Sequence, residues 1–176
     1  MNRQNLETIY LVYIRPIFEY ACEVWNNCGT CHSNKLEKLQ LEAARIITGL
    51  PIFTKTDSLY FETGWEPLHS RHQRRKLQLF YTIYKGLAPH YLHDLISPTI
   101  QSTTIHPLRN GSDLIVPFCG LSSTNSSFIY SSVREWNKPE SFVRNLDTSF
   151  KFKRALLSNR NEINIVPKHF MYGPRK

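Results

Sequence analysis

Apolar runs at helical spacing, each closed or broken by glycine or proline, constrain this chain more than any other feature. Leu36, Leu39, Ala43, Ile46, Ile47 and Leu50 form one such stripe, and Gly49 with Pro51 ends it. Asn34 followed by Glu37 has capping-box spacing and places the start of that helix at Asn34. Upstream, Leu6, Tyr10, Tyr13, Ile14, Ile17 and Phe18 recur at the same period with Pro16 inside the run. Proline has no N–H to donate and its ring crowds the carbonyl four residues back, so a kink or a helix restart is expected there. Asn26 to Ser33 lies between the two runs as a loop, and the pair is expected to form an antiparallel hairpin. A further helix is expected from Pro67, at a first-turn position, to Lys85. It turns Leu68, Leu79, Phe80, Ile83 and Tyr84 toward a core, and Gly86 follows its end.

The remaining signals are shorter. Asp57 to Thr63 precedes Gly64 as one helical turn, and Pro89 to Ile96 forms another. Fifteen of the 36 residues from Ser97 to Ser132 are Ser, Thr or Asn, which marks a loop-rich segment, with one strand expected at Leu114–Phe118. Phe128 to Trp136 is expected to be helical, and Asp147 to cap a final helix through Leu157. The tail from Pro167 is expected to fray. The predicted class is mainly α, with a partly β, loop-rich insert. Trp25, Trp65 and Trp136 sit beside apolar helical positions, so core anchoring is preferred over base stacking for all three.

Charge enters next. The 176 residues carry a net charge of +8, but residues 1–66 sum to −2 and residues 67–176 to +10. A polyanionic partner is the class this favours, and nucleic acid or an anionic membrane surface both qualify. The strongest basic feature is Arg71, Arg74, Arg75 and Lys76 on the long helix, where the three arginines fall on neighbouring turns of one side. Such a stripe suits phosphate oxygens and salt-sensitive, sequence-indifferent binding. The competing reading is a solvated face, partly paired with carboxylates of the acidic first third. A second basic group, Lys151, Lys153 and Arg154, stands beside Phe150 and Phe152. There the aromatics are expected in the core and the cations in solvent.

Several classes have little support. No run of about 18 apolar residues is present, and the N-terminus lacks the apolar stretch of a signal peptide, so an intracellular chain, nuclear or cytoplasmic, is expected. Cys28-Gly-Thr-Cys31-His32 has the spacing of a c-type haem attachment, and Cys22 joins it in a zinc alternative. A loop with chance cysteines is preferred over both, because no axial haem partner and no second, separated zinc-ligand pair is apparent. No Gly-x-Ser-x-Gly or Walker-type loop occurs, and Asp57, Asp94, Asp113 and Asp147 stand too far apart in sequence to propose a two-metal centre. No catalytic, metal or cofactor site is expected.

Several stretches together resemble the C-terminal part of a non-LTR (LINE-type, jockey-like) retrotransposon reverse transcriptase. Ile14-Arg15-Pro16-Ile17-Phe18-Glu19-Tyr20 with Trp25 looks like the Arg-Pro, Glu-Tyr, Trp signature of that family's thumb. Leu36 to Gln40 with Ala43, Arg45 and Gly49 looks like the next thumb helix. Gly64-Trp65-Glu66-Pro67-Leu68 with Arg71, Arg74 and Arg75, running on to Pro89, looks like the segment that follows, and Trp136-Asn137 belongs to a fourth block. The family's Trp-Asn pair is usually followed by one residue and then Leu-Pro, whereas here Lys138-Pro139 follows directly.

The resemblance implies a fragment. The paired aspartates of the palm have no counterpart here, so Mg2+ and catalysis would belong to the absent palm and no activity of its own is expected of this chain. It implies a thumb-like helical hairpin at 1–50, a basic helical connector at 51–96, the loop segment at 97–132 and a C-terminal helical segment with its tail at 133–176. It also implies structural roles for Arg15, Pro16, Glu19, Tyr20, Trp25, Trp65, Pro67 and Trp136. The implied partners are RNA or an RNA–DNA hybrid, held without sequence preference, and the palm and fingers of the same polymerase. No membrane partner is expected. The alternatives are an inactive transposon remnant and a host helical module for protein–protein interaction.

Overall fold

Pro16 shapes the first helix as its chemistry requires. In the computed structural model, which describes residues 2–26 and 29–158, α1 (Arg3–Ile9) widens into a π turn (Tyr10–Ile14) before α2 (Arg15–Glu19). The Arg15 N–H donates to Tyr10 O, five residues back, which makes room for the proline ring just downstream. Ala21 then takes a left-handed conformation (φ 50°) and breaks the chain into a further short helix, α3 (Cys22–Trp25).

The described residues form a mainly helical fold in two compact units, one reaching Gln73 and the other starting at Arg74. The first holds α1 to α3, α4 (Thr30–Thr48), α5 (Thr56–Thr63) and the opening turns of α6 (Leu68–Tyr84). The second holds the rest of α6, α7 (His90–His93), α8 (Ile100–Thr103), α9 (Ser122–Ser126), α10 (Phe128–Trp136), α11 (Ser141–Arg144) and α12 (Ser149–Ser158). The boundary lies inside the stretch 51–96 that the sequence suggests as one connector.

The helix expected from Asn34 starts earlier, at Thr30, so Cys31, His32 and Ser33 are helical rather than loop. Its buried face is also turned from the expected one. Gln40, Ala44 and Ile47 are buried, while Leu39 and Ile46 are exposed. The cause is Gln40, a polar residue that an apolar pattern excludes. Its side chain accepts from Tyr10 OH (2.8 Å) and donates to Glu66 O (3.0 Å), and this satisfies its amide inside the core. The first helix differs similarly: Tyr10 is buried, but Tyr13 and Ile17 are exposed. Val12, Tyr20 and Val24 are exposed as well.

The second unit is built on aromatic residues. Trp136 contacts Phe80, Tyr84 and Phe152 with ring centroids 5.3, 5.0 and 5.6 Å apart, and Tyr81 stacks on Phe152 at 4.6 Å. Leu77, Leu114, Val133, Val143 and Leu156 complete this core. α6 ends at Gly86 (φ 68°), where Gly86 N–H donates to Ile83 O and Leu87 N–H to Thr82 O. This is the double hydrogen bond of a Schellman cap, which glycine permits without a Cβ clash.

No strand forms among the described residues at Leu114–Phe118. Leu114 makes an isolated antiparallel bridge with Thr99, framed by Ile100 N–H to Asp113 O and Ile115 N–H to Pro98 O. At such a non-hydrogen-bonded pair, the N–H and C=O of Leu114 point to the opposite edge. There Asn137 stands where the next strand would: its Oδ1 accepts from Leu114 N–H (3.0 Å) and its Nδ2 donates to Leu114 O (2.8 Å). The final helix is opened by Thr148 rather than Asp147, with Thr148 Oγ1 accepting from Lys151 N–H. The tail from Pro167 lies outside the described residues.

Candidate nucleic-acid interface

Glu19 and Trp25 of the Arg-Pro, Glu-Tyr, Trp pattern meet the first turns of α6, at Arg71 and His72. Glu19 is buried at the end of α2, where Arg15 lies 3.7 Å from it and Arg71 Nε donates to it at 2.5 Å. Arg71 also reaches Glu66 at 3.3 Å. Burial works against the Arg71 guanidinium, but the hydrogen bond and charge of Glu19, with Glu66, more than offset it, and its pKa moves up. Burial, reinforced by Arg71, moves the Arg15 pKa down. Arg15 and Arg71 thus meet Glu19 and Glu66, and these carboxylates stabilise cations that would be costly to bury alone.

The aromatic residues of the pattern brace the same place. Trp25 Nε1 donates to Tyr20 O at 2.6 Å, closing the turn around Ala21, and the indole meets His72 edge-on at 5.1 Å. Tyr20 itself is exposed. His72 is buried, with Nδ1 3.3 Å from Asn26 Oδ1, and burial moves its pKa below the usual histidine value. Trp65 stacks on Tyr10 at 4.3 Å and donates to Glu7. Pro67 stands one residue ahead of α6, and its carbonyl accepts from Arg71 N–H.

Glu37 has a different task from the one its spacing suggests. Its Oε2 accepts from Leu68 N–H at 2.9 Å, so it caps α6 and not its own helix. Burial raises its pKa, while the N–H groups of Leu68 and His69 pull the other way.

The basic stripe therefore divides. Arg71 is neutralised by carboxylates of the first unit. In the second unit Arg74 and Lys76 are buried, and Arg75 is exposed. Lys76 Nζ lies 3.4 Å from Ser131 Oγ, and burial moves its pKa below the usual lysine value, against the pull of Glu135. Tyr81 is also interior, and its OH donates to Leu146 O at 2.6 Å. The other basic group is more open. Lys151, Lys153 and Arg154 are exposed, Phe152 is in the core as expected, and Phe150 is not, being 73% exposed.

Cys31 and His32 are exposed on the first turn of α4, and Cys28 lies outside the described residues. Among the described residues no group of three or more His, Cys, Asp or Glu side chains is placed to hold a metal ion, and no helix is long and apolar enough to cross a membrane. The roles of Gln40, Glu37 and Asn137 are what the sequence patterns missed. Each is polar and acts on a backbone or a side chain distant in sequence, so no local spacing reveals it.

No protein-family model and no solved structure matches the chain. A stretch of 60 residues is 28% identical to a probable RNA-directed DNA polymerase from transposon X-element of Drosophila melanogaster. The match covers 34% of this chain and 7% of the length of that polymerase, a weak and partial similarity to a transposon reverse transcriptase.

Proposed function

We propose that this chain is a non-catalytic portion of a retrotransposon RNA-directed DNA polymerase that helps to hold the template–primer duplex. The observation that carries the reading is the similarity to the X-element polymerase, whose matched stretch is a small part of a much longer enzyme. The charge distribution supports it, since the basic excess is confined to residues 67–176. Within the stripe, Arg75 is the phosphate contact, because it alone of the four is exposed. Arg71 is a positioning residue that fixes the start of α6 through Glu19 and Glu66. Arg74 and Lys76 are buried in the second unit and are not offered to phosphate.

Fluorescence anisotropy with a labelled RNA–DNA hybrid at two ionic strengths tests this. Binding should weaken with salt, with a slope of about −0.9 per phosphate neutralised, and Arg75→Glu should lower affinity and flatten that slope. Hybrid binding that is absent, or indifferent to both salt and Arg75→Glu, refutes the reading.

The exposed apolar side chains Val12, Tyr13 and Ile17 of the first helical stretch, with Tyr20 and Val24 beyond it, favour a second reading, a surface that docks on protein. The partner is the remainder of the polymerase, or a host protein if the chain acts alone. Co-purification that survives nuclease and is lost in Tyr13→Lys, Ile17→Lys supports it.

A further inference from the structure

We infer that the outer face of α12, with Phe142 of α11, is a binding site for single-stranded nucleic acid. α12 is anchored on one side by Phe152 and Leu156, both in the aromatic core of the second unit. Its other side carries Phe150, Lys151, Lys153 and Arg154, all exposed. Phe150, Lys153 and Arg154 are spaced i, i+3 and i+4, so ring and cations share one surface of a helix of nearly three turns. α11 packs against α12 and exposes a second ring, Phe142, which is 59% accessible. No acidic residue occurs from Ser149 to Ser158, and the three cations form no ion pair among the described residues. Glu140 and Asp147 flank the two helices on their N-terminal sides.

The composition of this face selects its occupant. Single exposed apolar side chains are ordinary on a protein surface; what distinguishes this face is a ring set among cations on a helix with no carboxylate. An apolar protein partner would need a continuous apolar patch, but here Phe150 shares its helix face with Lys153 and Arg154. A membrane would need a helix with a full apolar side, and the apolar side of α12 is already spent on Phe152 and Leu156. A single strand offers phosphates to the cations and unpaired base faces to the rings together. A duplex offers only the phosphates, because its bases are stacked on one another. This site is separate from Arg75 and does not require that α6 hold a duplex.

The test is anisotropy of the full chain with a labelled oligo(dT) or oligo(rU), with the RNA–DNA hybrid of the same length measured in parallel. Phe150→Ala should weaken single-strand binding by about tenfold, the loss expected when one base loses its stacking platform, while leaving hybrid binding unchanged. Phe150→Tyr should restore it, since the ring is kept. Lys153→Gln, Arg154→Gln should reduce the salt slope by roughly 0.7 for each phosphate that is no longer neutralised. Phe150 is exposed, so circular dichroism of these variants should match the parent chain. Single-strand binding that is absent, or unchanged in Phe150→Ala, overturns the inference, and so does equal competition by polyglutamate, which has charge but no rings. Loss of hybrid binding in Arg75→Glu with intact oligo(dT) binding separates the two sites. Absent oligo(dT) binding together with loss of hybrid binding in Arg75→Glu would overturn the inference and leave the duplex reading standing alone.

Discussion

Replacing Asn137 tests whether a side chain can substitute for a missing β-strand. Leu114 is buried, and its N–H and C=O each have Asn137 as the partner on that edge, at 3.0 and 2.8 Å. Asn137→Ala removes both partners and leaves a donor and an acceptor with no ready access to water. Each unsatisfied group costs about 1–3 kcal/mol, so roughly 2–6 kcal/mol is expected in total. For a unit of this size that corresponds to a fall in Tm of about 10 °C or more. Asn137→Asp is nearly isosteric and keeps the acceptor for Leu114 N–H, but it sets a carboxylate oxygen against Leu114 O. The protonated acid can donate there and the anion cannot, so the folded state raises the pKa of this aspartate. A raised pKa contributes stability below the unfolded value that is lost as pH rises through the folded one. The Tm deficit of Asn137→Asp should therefore shrink from pH 7 toward about pH 4, while that of Asn137→Ala stays nearly constant. Thermal denaturation followed by tryptophan fluorescence, with Trp136 next in sequence, measures both. A shift of under about 0.5 kcal/mol for Asn137→Ala would show that Leu114 finds other partners at no cost.

His72 gives a pH prediction of the opposite sign. Burial lowers its folded pKa below 6.5, so the unfolded chain binds the proton first. Stability should fall as pH drops through 6.5 toward the folded value, and His72→Phe should remove that component; urea midpoints at about pH 7.5 and pH 5.5 compare the two, and identical pH dependence counts against it. At Glu37 the cap on α6 needs an acceptor and not a charge, and burial already disfavours the charge. Glu37→Gln should thus be tolerated to within about 1 kcal/mol at neutral pH, whereas Glu37→Ala leaves Leu68 N–H without that acceptor and should cost about 1–3 kcal/mol in chemical denaturation.

Helices marked by punctuation were legible in the sequence. Phe128–Trp136 is a helix over the expected residues, and Gly49, Gly64 and Gly86 follow helix ends in left-handed conformations that only glycine adopts freely. Which face of a helix is buried was less legible, because periodicity counts apolar residues and the interior of α4 is set by Gln40. The same limit explains Glu37, whose acceptor serves a helix 31 residues away, and Asn137, whose amide replaces a strand. For the candidate interface, the basic stripe was visible but its exposure was not. Helical spacing puts Arg71, Arg74 and Arg75 on one side, yet Glu19 takes up the first of them and the interior the second. Phe150 shows the reverse error, an aromatic residue assigned to the core because its neighbour Phe152 belongs there.

The π turn at Tyr10–Ile14 has a consequence for how this chain is compared with others. A widened turn takes up one residue more than an α turn while the helix on each side keeps its own winding. Two sequences can therefore differ by one residue here and still present Leu6 on one side and Phe18 on the other as they stand in this chain. An ungapped alignment across this point would shift everything upstream by one position, about 100° around the helix axis, and pair inward residues with outward ones. A chain without the extra residue would keep both faces only if the missing position fell between Tyr10 and Ile14.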